Sequence, residues 1–136
     1  MIELLNLSTG YNGKVIIKDL NFKFRRGKIT SILGPNGSGK TTLLKTISGF
    51  LKYKGKIIID GKDLKSISFI DLYKDLSYLP QKIQDIAELS VIEFMYTSVA
   101  GFFDSIARDF KKNMIDIMNK FGIIDFKDRY INTLSG

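Results

Sequence analysis

Through the first sixty positions the apolar residues fall in short runs cut by glycines, and alternation within the runs predicts strands. The runs are Ile2 to Leu7, Val15 to Ile17, Leu20 to Phe24 with Asn21 and Lys23 turned outward, Ile29 to Leu33, and Lys56 to Ile59. Gly10, Gly13, Gly27, Gly55 and Gly61 lie between them, where turns belong. From Thr41 to Ser48 the period changes: Leu43, Leu44 and Ile47 share one helical face, and Gly49 supplies a stop. Ser77 to Pro80 predicts one more short strand, ended by its proline. Beyond it the pattern is helical. Val91, Ile92, Met95 and Val99 are spaced for one buried face, and Ile106, Phe110, Met114, Ile117, Met118 and Phe121 for another, closed by Gly122. Residues 1–81 thus read as a sheet and loop portion and residues 82–136 as a helical portion, with no repeat, linker or low-complexity tract.

At 136 residues, 44% of them apolar, the chain has the balance of one ordinary folded domain or of part of one. No stretch approaches the roughly 18 to 20 uncharged apolar residues of a membrane span; Val91 to Phe103 is short and carries Glu93. The opening Met1-Ile2-Glu3-Leu4-Leu5-Asn6 lacks a basic region ahead of an apolar one, and cysteines are absent, so the expected address is the cytoplasm. Charge changes this picture little. Lys and Arg number 21 against 14 Asp and Glu, a net +7, but they are scattered, with pairs such as Arg25-Arg26 and Lys111-Lys112 instead of a cluster. Such scatter reads as a solvated face, and nucleic acid is not the expected partner.

The chemistry lies at Gly34-Pro35-Asn36-Gly37-Ser38-Gly39-Lys40-Thr41, which fits the phosphate-binding pattern G-x-x-x-x-G-K-[ST] between an apolar run and a helix. Glycines let the chain curl until successive backbone N–H groups face one anion, and the start of the helix adds its unpaired donors and positive dipole end. Lys40 supplies a mobile positive charge for the β- and γ-phosphates. Thr41 carries a small hydroxyl able to ligate Mg²⁺, and Thr42 is placed to donate to the α-phosphate. The loop alone does not separate a transport ATPase from a P-loop kinase or a GTPase.

Taken with Gly10-Tyr11 upstream and Tyr78-Leu79-Pro80-Gln81 downstream, GPNGSGKTTLLKTISG resembles the ATP-binding subunits of ABC transporters along nearly the whole chain. The resemblance implies an α/β fold of P-loop NTPase, ABC ATPase type: an N-terminal β subdomain, part of a RecA-like core and a helical subdomain. It implies ATP and Mg²⁺ as cofactors. Tyr11 stands where the family stacks an aromatic ring on adenine, roughly two dozen positions before the loop. Gln81 matches the glutamine that reaches Mg²⁺ and the attacking water, and with Lys40 it is the catalytic candidate; Thr41 and Gln81 are the metal candidates. Gly34, Asn36, Gly37, Ser38, Gly39, Lys40, Thr41 and Thr42 hold phosphate. Leu134-Ser135-Gly136 is similar to the first half of the LSGGQ signature, whose serine binds the γ-phosphate held by the opposite subunit.

The Walker B aspartate, its neighbouring glutamate and the switch histidine have no counterparts here, and the histidine count is zero. By resemblance the chain is therefore cut within the signature, lacks the C-terminal part of the fold, and as 136 residues does not hydrolyse ATP. The implied function is that of an ATPase subunit, paired head to tail with a second ATP-binding subunit and driving a separate membrane permease from the cytoplasmic side. Ser66-Ile67-Ser68 through Gln81 looks similar to importers of iron-siderophore, haem or cobalamin type, although Ser98 to Phe103 departs from their usual Gly-Arg. The alternative is a soluble ABC ATPase acting on ribosomes or nucleic acid, for which the basic charge would be binding surface.

Overall fold

The computed structural model describes residues 1–81, 88–97 and 103–134, excepting the side chains of 103–111. It divides into two compact units, Met1–Leu79 and Pro80–Gly136.

In the first unit, strands β1 (Ile2–Tyr11), β2 (Lys14–Phe24), β3 (Tyr53–Ile59) and β4 (Lys62–Asp63) form one antiparallel sheet in the order β2-β1-β3-β4. The β1–β2 connection is the two-residue turn Asn12-Gly13, whose positive φ values of 48° and 79° match the right-handed twist of the flanking strands. Strand β1 changes phase midway. Ile2 and Leu4 face the core before Asn6, and Leu7 and Thr9 face it afterwards, because Asn6 takes φ 48° in an irregularity of the ladder. Side chains make up for the disturbed pairing there: Asn6 N–H donates to Asn21 Oδ1 at 2.9 Å, and Asp19 N–H donates to Ser8 Oγ at 2.8 Å.

Helix α1 (Lys40–Ile47) lays Leu43 and Ile47 into a core made by Leu4, Leu7, Ile57, Leu64 and Leu72. It ends as a Schellman motif around Gly49, with Gly49 N–H donating to Thr46 O and Phe50 N–H to Lys45 O. Tyr73 Oη donates to Ser48 O at 2.8 Å, supplying one more carbonyl at that end. Tyr73 belongs to helix α2 (Phe69–Asp75), which the apolar pattern does not predict. Its signal is Ser68-x-x-Asp71: Ser68 Oγ accepts from Asp71 N–H and donates to the carboxylate. Bonds from Lys74 and Ser68 hold the Asp71 carboxyl below its ordinary range.

Three expectations fail in this unit. The predicted strands Val15–Ile17 and Leu20–Phe24 are one continuous strand that bends at Asp19, φ 49°. Leu44 is 45% exposed; the inner face of α1 is Thr42, Leu43, Thr46 and Ile47, one step round from the predicted stripe. Neither Ile29–Leu33 nor Ser77–Pro80 is a strand, and Ile29 and Leu33 are 100% and 90% exposed. Strand conformation is held by a neighbour's hydrogen bonds, and among the described residues no strand lies beside either segment.

The second unit holds α3 (Val91–Thr97) and α4 (Phe103–Lys120). The start of α3 is a capping box in which the Ser90 hydroxyl and N–H both donate to Glu93 Oε2, keeping the Glu93 carboxyl below its usual range. Residues 127–131 lie beside it, with Val91 N–H donating to Arg129 O and Ile131 N–H to Leu89 O. Met114 and Met118 are buried as their spacing predicts. Ile117 and Phe121 are not: Ile117 sits about 100° of helix rotation from Met118, and Phe121 stands past the helix end. Val99 lies outside the described residues, as do the side chains of Ile106 and Phe110.

Ile29, Leu33 and Leu79 leave apolar surface and unpaired backbone exposed on the first unit, so a polypeptide of these 136 residues is expected to self-associate. Sedimentation should show dimers or larger species at micromolar concentration, and Ile29→Lys with Leu33→Lys should shift them toward monomer. A compact monomer in both samples would contradict this.

Candidate functional site

The loop of residues 34–39 enters α1 through Gly39, which serves as its N-cap at φ 94°. That left-handed conformation is costly for any residue with a Cβ, and a Cβ here would also press to 3.2 Å from Ile16 and 3.3 Å from Ile17 of β2. Ser38 N–H donates back to Pro35 O at 3.3 Å, and the first helical bond runs from Leu43 N–H to Gly39 O at 2.8 Å. No side chain caps this end and no acidic residue lies in the first turn. The N–H groups of the opening turn are therefore donors without helical partners, at the positive end of the helix dipole.

Lys40 spans the loop. Its Nζ donates to Gly34 O at 2.7 Å and to Pro35 O at 2.6 Å, with Ser38 Oγ at 3.5 Å. Among the described residues no carboxylate pairs with it. An uncompensated ammonium beside unpaired N–H donors is an arrangement that attracts an anion. A cavity of about 320 Å³ opens next to it, with apolar walls from Ile16, Ile17, Leu20 and Leu33 and a polar floor from Ser38 and Lys40.

The two threonines expected to serve a nucleotide are placed differently. Thr41 is exposed, whereas Thr42 is buried on the inner face of α1, leaving its backbone as the accessible part of that expectation. Tyr11 is 38% exposed at the end of β1, paired with Lys14 across the tight turn. The hairpin closes so narrowly before it that a Cβ on Gly10 would lie 1.9 Å from Lys14 O. Gln81 is exposed at the beginning of the second unit, and Ser135 lies outside the described residues.

Two residues that sequence patterns do not point to join these parts. Thr46 Oγ1, fully buried, donates to Thr42 O at 2.7 Å and lies 3.1 Å from Thr9 Oγ1, which in turn lies 3.0 Å from Lys52 O. Threonine in a helix or a strand carries no motif, so only the packing of α1 on β1 could reveal the contact.

The family model described as ABC transporter matches residues 17–136. The iron(3+)-hydroxamate import ATP-binding protein FhuC of Bacillus subtilis (strain 168) is 34% identical over 136 residues, which cover 96% of this chain and 50% of that protein. The vitamin B12 import ATP-binding protein BtuD of Vibrio atlanticus (strain LGP32) is 35% identical over 137 residues, covering 100% of this chain and 53% of its own length. The chain spans about half the length of the curated relatives it matches. A solved dimeric structure of MJ0796, a bacterial ABC transporter cassette, superposes with a TM-score of 0.82 at 24% identity, over 100% of this chain and 64% of that one. That likeness shows the fold, the α/β fold of an ABC transporter cassette.

The Gly10 contact yields a test of the hairpin that carries Tyr11. Gly10→Ala should lower the thermal midpoint by about 5 °C or more, because the clash is with backbone. Gly13→Ala, which meets open space and suffers only from its positive φ, should cost less. Equal midpoints for the two variants in differential scanning calorimetry would refute the close approach.

Proposed function

Because the chain belongs to the ABC transporter family, we propose that its first unit binds Mg-ATP and forms part of the ATP-binding subunit that powers a separate membrane permease. The observation that carries this reading is the uncapped N-terminus of α1, headed by left-handed Gly39, with Lys40 Nζ paired to no carboxylate among the described residues. On this reading Lys40 exchanges Gly34 O and Pro35 O for β- and γ-phosphate oxygens, a charge-assisted contact in place of two carbonyl bonds. Backbone N–H groups from Gly37 to Thr42 take the remaining oxygens, Thr42 acting through its backbone because its side chain is buried. Tyr11 offers its exposed ring to the base.

Mg²⁺ would neutralise charge on the β- and γ-phosphates. The chain fits it as an ion carried in with the nucleotide: Thr41 presents an exposed hydroxyl, and no cluster of His, Cys, Asp or Glu able to hold a metal occurs among the described residues. Gln81 and Ser135 complete the proposal, Gln81 at the metal and the attacking water, Ser135 at the γ-phosphate of a second subunit. These 136 residues contain no histidine, and we assign to them nucleotide binding and not turnover. Pairing with a second ATP-binding subunit is supported by the dimeric cassette of like fold. The names of the relatives, import proteins for iron(3+)-hydroxamate and vitamin B12, favour a metal chelate as the cargo. No helix among the described residues is long and apolar enough to cross a membrane, which suits a subunit held at the cytoplasmic face by its permease.

Titration calorimetry with Mg-ATP tests the reading. Lys40→Ala should weaken binding at least about tenfold, the scale of one lost charge-assisted contact. Unchanged affinity, or a parent chain that binds no ATP, would overturn it. Tyr11→Ala should weaken ATP and GTP alike, since stacking is worth roughly 1 to 3 kcal/mol and scarcely distinguishes bases. Loss of ATP with GTP retained would mean that Tyr11 reads the edge of the base instead of its face.

A further inference from the structure

The threonine contacts between α1 and β1 contain fewer hydrogens than gaps. Three short separations, Thr46 Oγ1 to Thr42 O, Thr46 Oγ1 to Thr9 Oγ1, and Thr9 Oγ1 to Lys52 O, are shared by two hydroxyls with one hydrogen each. With Thr46 donating to Thr42 O, the contact between the two hydroxyls is a hydrogen bond when Thr9 turns its hydrogen to Thr46 Oγ1 in place of Lys52 O, so Thr9 is the donor of the pair and Thr46 the acceptor. Thr46 is 0% exposed and Thr9 4%, so water cannot substitute for a lost partner.

Around this set the contacts are apolar. Leu43 and Ile47 meet Leu4 and Leu7, and such contacts are non-directional, so they permit a small slide or rotation of α1 on the sheet. The hydroxyl pair is directional, and among the described residues it is the side-chain hydrogen bond that runs from α1 to β1. It joins two significant places. Thr9 is two residues from Tyr11 along β1, about 7 Å, and Thr46 is one helical turn from Thr42.

We infer that Thr46 and Thr9 are positioning residues that set the spacing between the phosphate-binding end of α1 and the ring of Tyr11, so that one nucleotide can engage both. This rests on the proposed binding of ATP by the loop and Tyr11. A nucleotide is two linked ligands, a polyphosphate and a base, at a separation fixed by its ribose. It collects both interactions only where the protein holds the two subsites at the matching distance. Loosening the rung leaves each subsite intact but mismatches the pair.

The test compares ATP with inorganic tripolyphosphate, both with Mg²⁺, by calorimetry on the whole chain. Thr46→Val removes the hydroxyl at nearly constant volume and should weaken ATP about three- to tenfold, the worth of one buried hydrogen bond, while tripolyphosphate stays within about twofold. Thr46→Ser should restore ATP binding. In a Tyr11→Ala background Thr46→Val should have no further effect on ATP, because the distance it guards no longer matters. Equal losses for both ligands, no loss at all, failure of the serine to restore, or an undiminished effect without Tyr11 would each overturn the inference. Should Thr46→Val fail to fold, Thr9→Val reads the same ratio from the other side. A parent chain that binds neither ligand would instead remove the nucleotide reading itself, an outcome told apart by the parent titration alone.

Discussion

Burial of Leu43 and Ile47 against Leu4, Leu7 and Ile57 is the contact on which the rest of the first unit depends. An eight-residue helix is too short to persist alone in water, so α1 exists because one of its faces is covered. Covering that face fixes the direction of the axis and with it the point where the unpaired N–H groups emerge. The loop of residues 34–39 needs no packing of its own; it is the connection into a helix whose position the sheet has already decided. Lys40, reaching back to Gly34 O and Pro35 O, then closes the loop on itself.

Both ends of α1 reflect the same division of labour. At its C-terminus the carbonyls are taken up by Gly49, Phe50 and the Tyr73 hydroxyl, and Phe50 joins Phe69, Tyr73 and Tyr78 in a group of ring contacts. At its N-terminus no side chain does the equivalent. A helix satisfied at one end and open at the other presents its dipole where it is useful, and the cost of leaving donors open is the reason for expecting a ligand there.

What could be read from the sequence was what depends on neighbours along the chain. The glycine turn into α1, the stops at Gly49 and Gly122, and the buried spacing of Met114 and Met118 follow from local chemistry and period. What escaped depends on a partner element. Ile29–Leu33 has the composition of a strand, but composition cannot supply the neighbour that would make it one. Leu44 looks equivalent to Leu43 until the sheet selects a face. The burial of Thr42 and the Thr9–Thr46 contact are consequences of that selection, and they alter the site: one expected side chain is turned away, and two unexpected ones hold the frame.

The change of phase at Asn6 makes β1 a counted segment. Residues before it face inward at even numbers and residues after it at odd numbers, so the extra residue and the left-handed conformation that accommodates it belong together. A residue that tolerates φ near +50° can replace Asn6 with modest effect. Removing one residue between Leu4 and Leu7 would restore simple alternation and leave Leu7, Thr9 and Tyr11 on the faces they now occupy, whereas straightening the irregularity at constant length would turn Leu7 and Thr9 to solvent. Among homologous chains a strand one residue shorter between the core leucines should therefore have lost the left-handed residue as well, the extra length and the irregularity appearing or disappearing together.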